Sequence, residues 1–111
     1  MLFRSTYMAE SFSYKITTEV KSLSFDFSQV LASGETLSTS TCTVIVVDGT
    51  DATPSNLLSG GTSIIGNKIY QQVHNGTAGV IYRLIATVTT SAGNTLVALG
   101  DLPVYSADEV Q

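Results

Sequence analysis

The chain has no tryptophan, one cysteine, one histidine and few basic residues. The lone Cys42 excludes an intrachain disulfide, and therefore a small disulfide-stabilised scaffold. We interpret it as a small buried hydrophobic residue. The chain has five Lys and Arg residues and nine Asp and Glu residues, which give a net charge of -4. Because binding to a phosphate backbone needs a basic surface, we expect neither nucleic acid nor an acidic membrane as a partner.

Side chains that carry catalytic chemistry are also scarce. His74, the only imidazole, sits beside a turn and cannot by itself supply a triad or a metal cluster. No glycine loop precedes a helical pattern, and no two carboxylates are marked as an acid and base pair. The acidic turn Asp48–Asp51 lacks the spacing of a calcium loop. We therefore expect no enzyme activity, no cofactor and no metal.

Long apolar runs are missing as well. The first residues contain no apolar stretch of about 7 to 15 residues, so no secretory signal is predicted. No stretch approaches the roughly 18 to 20 apolar residues of a membrane span. We expect synthesis in a cytoplasm and no membrane partner.

What the chain has in abundance suits β-structure. Ser and Thr supply 29 of the 111 residues and Val another 11, a composition that favours pleated strands over helices. The length fits one domain with its own core. The sequence therefore predicts a single all-β domain.

Period-two alternation places the strands. The clearest strand lies between two glycine turns, and its apolar positions share one parity: Val80, Tyr82, Leu84, Ala86 and Val88. Leu23, Phe25 and Phe27 mark a second core strand. Apolar residues on both parities after Cys42, including Ile45 and Val47, predict a strand end that is covered on both sides.

Turn signals every 8 to 12 residues predict about seven or eight short antiparallel strands, one of them near residue 55, in an immunoglobulin-like β-sandwich. We divide the chain into an N-terminal arm or edge strand (1–18), the sandwich (19–105) and an acidic C-terminal tail (106–111).

Two groups of residues are candidates for an interface. The arm carries four aromatic residues, Phe3, Tyr7, Phe12 and Tyr14. They fit either a first strand with a frayed end or an extended segment that docks on a neighbouring subunit. Arg83 lies on the polar parity of its strand. It is either a solvated residue or a cation that reaches a partner's carboxylate or carbonyl.

A tyrosine just after a glycine-rich turn marks a structural corner. Gly79 and Tyr82, in Thr77-Ala78-Gly79-x-x-Tyr82, have the arrangement in which a sandwich buries a tyrosine ring while its hydroxyl bonds upstream backbone. A core tyrosine in another β architecture is the alternative. The cysteine and tryptophan partners of antibody domains are absent.

These same residues resemble a known group. The chain is similar to the immunoglobulin-like structural proteins of tailed bacteriophages, and most similar to phage fiber-tail adaptor proteins. The resemblance covers roughly residues 20–104. Its motifs are Gly76-Thr77-Ala78-Gly79-x-x-Tyr82, Val88-Thr89-Thr90-Ser91-Ala92-Gly93, Ser59-Gly60-Gly61, Phe25-Asp26-Phe27-Ser28, Leu31-Ala32-Ser33-Gly34-Glu35-Thr36 and Ser38-Thr39-Ser40-Thr41.

The resemblance implies a non-enzymatic virion protein, made in the host cytoplasm. Such an adaptor or decoration module joins fibers or other components to the tail, neck or head. It implies other virion proteins as partners and multiple copies around a symmetric assembly. The alternative is an immunoglobulin-like module that recognises a host-surface glycan through turns such as Asp48–Asp51 and Asn75–Ala78.

Overall fold

A computed structural model describes residues 8–108, with side chains from residue 12 onward. Within these residues the chain forms eight strands and one short 3-10 helix. The strands are β1 (Met8–Ser11), β2 (Lys15–Ile16), β3 (Lys21–Asp26), β4 (Leu37–Asp48), β5 (Leu58–Ile65), β6 (Lys68–Val73), β7 (Val80–Thr90) and β8 (Thr95–Tyr105).

The strands form two sheets that pack as a sandwich. The large sheet has the order β1-β8-β7-β4, and β2 pairs with β8 further along the same edge. The small sheet has the order β3-β6-β5. This arrangement confirms the predicted all-β sandwich, and its strand order is consistent with an immunoglobulin-like topology.

The predicted strand near residue 55 is wrong. Residues Pro54–Leu57 form the 3-10 helix, and β5 begins only at Leu58. Pro54 has no backbone N–H to give to a strand ladder, and its fixed φ suits the first turn of a helix. The turn closes with the Asn56 amide donating to the Thr53 carbonyl at 3.0 Å.

Not every strand pair is antiparallel. β1 and β2 both run parallel to β8, with Met8 opposite Ala98 and Lys15 opposite Val104. The three residues between them, Phe12–Tyr14, interrupt the edge. A parallel neighbour needs a long crossover. Here the chain crosses from the β8 edge into the small sheet through Thr17–Val20, a connection that local turn signals do not reveal.

The core lies between the inner faces of the two sheets. Every second residue of β7 points inward, and Tyr82, Leu84, Ala86 and Val88 are fully buried. The small sheet contributes side chains that are equally buried, namely Phe25, Ile69 and Val73. Full burial of one large apolar side chain contributes roughly 1.5–3 kcal/mol, so the alternation read from the sequence accounts for the packing of the two layers.

The end of β4 is not covered on both sides, contrary to the sequence prediction. Ile45 is 47% exposed and Val47 is 46% exposed. β4 is the last strand of the large sheet, and the small sheet covers only its inner face. The apolar residues of the other parity therefore face solvent.

Candidate interface

The outward face of the large sheet is the broadest candidate surface. Along β7 and β8, every second side chain points into the core, and the side chains between them point outward and are only partly covered. The pairing of β4 with β7 and of β7 with β8 places their outward residues side by side in rows across the sheet. In one such row Thr43 lies beside Ile85, and Ile85 lies beside Leu99. We call this surface the outer face. Its apolar members are Ile45, Ile81, Ile85, Val97, Leu99, Pro103 and Tyr105.

Arg83 lies at the centre of the outer face and is engaged within its own sheet. It stands between Ile45 of β4 and Asp101 of β8. Its Nε donates to Asp101 Oδ1 at 2.8 Å and its second nitrogen donates to Oδ2 at 3.0 Å. This bidentate pair lowers the pKa of Asp101 below its usual value. The positive charge of Arg83 is therefore already neutralised by Asp101 within the sheet.

Tyr14 and Tyr105 form an exposed aromatic pair at one end of the large sheet. Their ring centroids lie 5.6 Å apart at an interplanar angle of 65°. Tyr14 is 43% exposed and Tyr105 is 37% exposed. Two exposed tyrosines in contact offer a rigid apolar surface with polar tips, the composition that protein interfaces favour.

Phe12, another aromatic of the arm, packs into its own sandwich. Its ring meets Phe25 edge to face, with centroids 5.4 Å apart. A Cβ at Gly100 would lie only 2.2 Å from the Phe12 ring, so the glycine provides the space that the ring occupies. The Phe12 amide also donates to the Asp101 carbonyl at 3.0 Å. Phe3 and Tyr7 lie outside the described residues.

Lys15 holds the second half of the arm in place, a role that no local sequence pattern indicates. The residue is fully buried. Its ammonium donates to three main-chain carbonyls, at 3.0 Å to Ile16, 3.1 Å to Thr17 and 2.6 Å to Asn75. Burial lowers the pKa of Lys15. Since Asn75 belongs to the turn before β7, the ammonium joins the arm to the sandwich.

Tyr82, which the sequence predicts to be a corner tyrosine, makes two hydrogen bonds. The Tyr82 hydroxyl accepts from the Thr77 amide at 2.8 Å and donates to Asp51 Oδ2 at 2.6 Å. Burial first, and then the bond to Asp51, raise the pKa of Tyr82. The bond from Tyr82 is the main cause that lowers the pKa of Asp51. Gly79 adopts a positive φ of 85° in the turn that leads to this strand.

A second polar network joins two loops at the other end of the sandwich. Glu35 is buried and accepts hydrogen bonds from the Thr90 hydroxyl and the Asn94 side chain. It also accepts from the Ala32 amide at 2.9 Å. The β3–β4 loop and the β7–β8 hairpin are therefore fixed to each other. At both ends of the molecule, polar contacts that are at least partly buried therefore tie loops together.

The described residues show no grouping for metal chemistry. No three His, Cys, Asp or Glu side chains among them come close enough to hold an ion. Cys42 is partly buried, and burial raises the pKa of its thiol to about 11. Likewise, none of the helical structure in residues 8–108 is long and apolar enough to cross a membrane.

The outer face is only partly covered, holds a neutralised ion pair at its centre and adjoins two exposed tyrosines, features that protein interfaces favour. The comparisons identify the family of this chain. The family model described as "Podophage GP4 fiber-tail adaptor protein gp77" matches residues 15–99, more than three quarters of the chain. The chain belongs to this phage fiber-tail adaptor family, which confirms the resemblance read from the sequence. A comparison with curated proteins found no match.

Proposed function

We propose that this chain is a non-enzymatic structural protein of a tailed-phage virion. In this role it joins fibers or other components to the tail, neck or head, in several copies around a symmetric assembly. The observation that carries the proposal is the family match over residues 15–99. The protein would be made in the host cytoplasm and would act in the virion, with other virion proteins as its partners.

The outer face supports an adaptor role physically. The buried core of a protein interface is more apolar than its rim and contains few charged residues. The centre of the outer face holds Arg83 and Asp101, whose charges already neutralise each other at 2.8 Å. Around them lie Ile and Val side chains that are only partly covered, and Ile45 is 47% exposed. A partner could cover this surface without leaving a buried unpaired charge.

The Tyr14–Tyr105 pair extends that surface toward the arm. Tyr105 lies on the same parity of β8 as Asp101 and Pro103, so it belongs to the outer face. Tyr14 joins it from the N-terminal arm. The sequence candidates Tyr14 and Arg83 thus lie on one continuous side of the molecule, whereas the Phe12 ring packs inward. We propose this side as the contact with virion partners.

Complementation of a gene deletion tests the proposal. Phage that lack the gene are expected to give particles without attached fibers, and wild-type protein is expected to restore infectivity. Ile45→Asp puts a charge on the outer face and is expected to restore infectivity at most weakly. Ile65→Asp makes the same change at the small sheet, where Ile65 is 64% exposed, and is expected to complement fully. Normal infectious particles from the deletion itself would overturn the proposal.

A further inference from the structure

The two sheets have four strand edges among the described residues, and three of them carry features that discourage pairing with another chain. At one, β1 and β2 are interrupted by Phe12–Tyr14. At the second, β3 is only six residues long and has Lys21 and Asp26 at its ends. At the third, the pairing of β5 with β6 shifts in register between Ser59 and Ser63. Each of these features breaks or blunts the row of unpaired backbone groups.

The fourth edge, β4, is long, regular and uncharged. The strand has twelve residues, and its pairing with β7 is unbroken from Thr39 to Val46. It contains no proline and no charged residue before Asp48. Among the described strands only β7 pairs with it. An edge of this kind is a site at which another strand can add to the sheet.

The hydrogen bonds of the large sheet determine which backbone groups of β4 face the open side. Along a strand of an antiparallel sheet, successive residues direct their N–H and C=O groups to opposite sides. The Thr90 amide of β7 donates to the Asn94 carbonyl at 2.9 Å, so the even-numbered residues of β7 bond to β8 and the odd-numbered ones bond to β4. Because Ile85 lies opposite Thr43, the odd-numbered residues of β4 bond to β7. The groups that face the open side of the regular stretch therefore belong to Ser40, Cys42, Val44 and Val46.

We propose that this edge pairs with the β4 edge of a second copy of this chain, in antiparallel orientation about a two-fold axis. A strand ladder needs a regular row of free groups on both strands, and among the described edges of this chain only β4 provides one. A second copy also brings no charge into the regular stretch. The same surface patch therefore serves on both sides of the contact, as a two-fold interface requires.

The alternation along the strand places the axis at Thr43. Opposite residues of an antiparallel pair point to the same face, so the axis passes through a residue position and not between two. With Thr43 opposite itself, all four residues whose groups face the open side find partners: Ser40 with Val46, and Cys42 with Val44. An axis at Cys42 or at Val44 leaves one of the four opposite an irregular end of the strand.

The outward side chains of the pair meet without like charges. Thr41 lies opposite Ile45 and Thr39 lies opposite Val47, so the two exposed apolar side chains each gain a threonine neighbour from the other copy. The two copies of Asp48 lie about 34 Å apart along the ladder. Nothing on the outward side therefore opposes the pairing.

The inward side chains gain cover beside the core. Cys42 and Val46 pack against the core but are only partly buried. The pairing places Val44 of the second copy opposite Cys42, and Ser40 of the second copy opposite Val46. The added strand therefore buries apolar surface that is open in the single chain.

The two-fold axis is perpendicular to the sheet, so both outer faces lie on the same side of the pair and form one continuous surface. This inference rests on the proposed function, because it names a contact between copies of the proposed virion protein and enlarges the surface offered to its partners. The test uses purified chain without other virion proteins. A failed complementation in phage and a failed self-association in solution are therefore separate results.

Sedimentation of the full-length chain at increasing concentration tests for the pair. We expect the wild-type mass to rise from 11.7 kDa toward twice that value. Thr43→Lys puts two like charges opposite each other at the axis and is expected to remain monomeric, whereas a mixture of Thr43→Lys with Thr43→Glu is expected to associate. Ser22→Lys, at an exposed position of β3, is expected to associate like the wild type. Circular dichroism checks that each variant is folded.

Disulfide cross-linking locates the axis. Two variants are oxidised separately, each with Cys42→Ala so that one cysteine remains: one has Thr43→Cys and the other has Thr39→Cys. The two copies of Thr43 form a pair without hydrogen bonds between them, whose Cα atoms lie about 4.5 Å apart, within the range that a disulfide spans. The two copies of Thr39 lie about 27 Å apart. We expect a covalent dimer from Thr43→Cys and almost none from Thr39→Cys.

A wild-type chain that stays monomeric at every concentration overturns the inference. So does association that survives Thr43→Lys, or a mixture of the two charged variants that stays monomeric. Cross-linking that is equal at the two cysteine positions overturns it as well.

Discussion

The Tyr82 hydroxyl donates a 2.6 Å hydrogen bond to Asp51, a residue 31 positions earlier in the chain. Tyr82 lies in β7 of the large sheet, and Asp51 lies in the connection that leaves β4 for the small sheet. The same hydroxyl accepts from the Thr77 amide. One phenol therefore holds the β4–β5 connection and the turn before β7 together at one end of the sandwich.

Removing that hydroxyl is expected to destabilise the fold. Tyr82→Phe keeps the buried ring but leaves the Thr77 amide without its hydroxyl acceptor, a loss of roughly 1–3 kcal/mol. Urea denaturation with matched m-values measures it. Tyr70→Phe, on the outward side of β6, is the matched control and is expected to change stability by less than about 0.5 kcal/mol. Equal effects of the two substitutions would contradict the role assigned to the Tyr82 hydroxyl.

Acid is expected to weaken the fold through Asp51 and Asp101. Both carboxyls have a pKa lowered in the folded state, Asp51 chiefly by the bond from Tyr82 and Asp101 chiefly by Arg83. The unfolded chain therefore takes up protons first, near pH 4. The stabilisation is present above that pH and is lost as the pH falls through the folded-state pKa values.

Urea midpoints between pH 6 and pH 3 check this sign. The wild type is expected to lose stability steadily over that interval. A double variant, Asp51→Asn with Asp101→Asn, is expected to start lower at pH 6 and to fall less. A double variant whose midpoint falls as steeply as that of the wild type would show that other groups govern the acid response.

Two glycines at the same end of the sandwich differ in one testable way. Gly49 and Gly79 both have a positive φ, at 95° and 85°. Alanine at either position costs roughly 1–2 kcal/mol in backbone strain. A Cβ at Gly49 would also lie 2.9 Å from the Gly79 carbonyl oxygen, whereas a Cβ at Gly79 meets nothing within 4 Å. Gly49→Ala is therefore expected to lower the melting temperature more than Gly79→Ala. A larger decrease for Gly79→Ala would contradict the importance of the close approach at Gly49.

The contact between Phe12 and Gly100 fixes the arm to β8. Gly100→Ala is expected to push the Phe12 ring out of its site and to destabilise the chain by roughly 1–3 kcal/mol. The same change in a Phe12→Ala background is expected to cost less, because the ring is no longer there to be displaced. A double-mutant cycle from denaturant titrations measures the coupling. Additive effects would mean that the ring does not depend on the space at Gly100.

Some of the candidate interface can be worked out from the sequence. The parity of β7 separates buried Tyr82 from outward Arg83 without any tertiary information. The partner of Arg83 can also be predicted from the sequence. A hairpin through Ala92-Gly93-Asn94 that pairs Thr89 with Thr95 necessarily puts Arg83 opposite Asp101. Antiparallel register follows from the turn, so the opposite charges could have been paired by counting.

Other features depend on contacts that no local pattern specifies. The parallel pairing of β1 with β8 brings Met8 beside Ala98, and the Lys15 ammonium reaches Asn75 across 60 positions of sequence. Ile45 and Val47 were predicted to be covered because their residue types suit a core. Composition does not reveal that β4 is the last strand of its sheet, and this position is what exposes them.

Quantitative mass spectrometry of purified phage particles tests the adaptor role most directly. We expect this chain to be present in a fixed copy number that matches the symmetry of the tail, neck or head. We also expect deletion of the gene to remove the chain and the fibers from the particles together. Particles that carry their fibers at full copy number while lacking this chain would contradict the account.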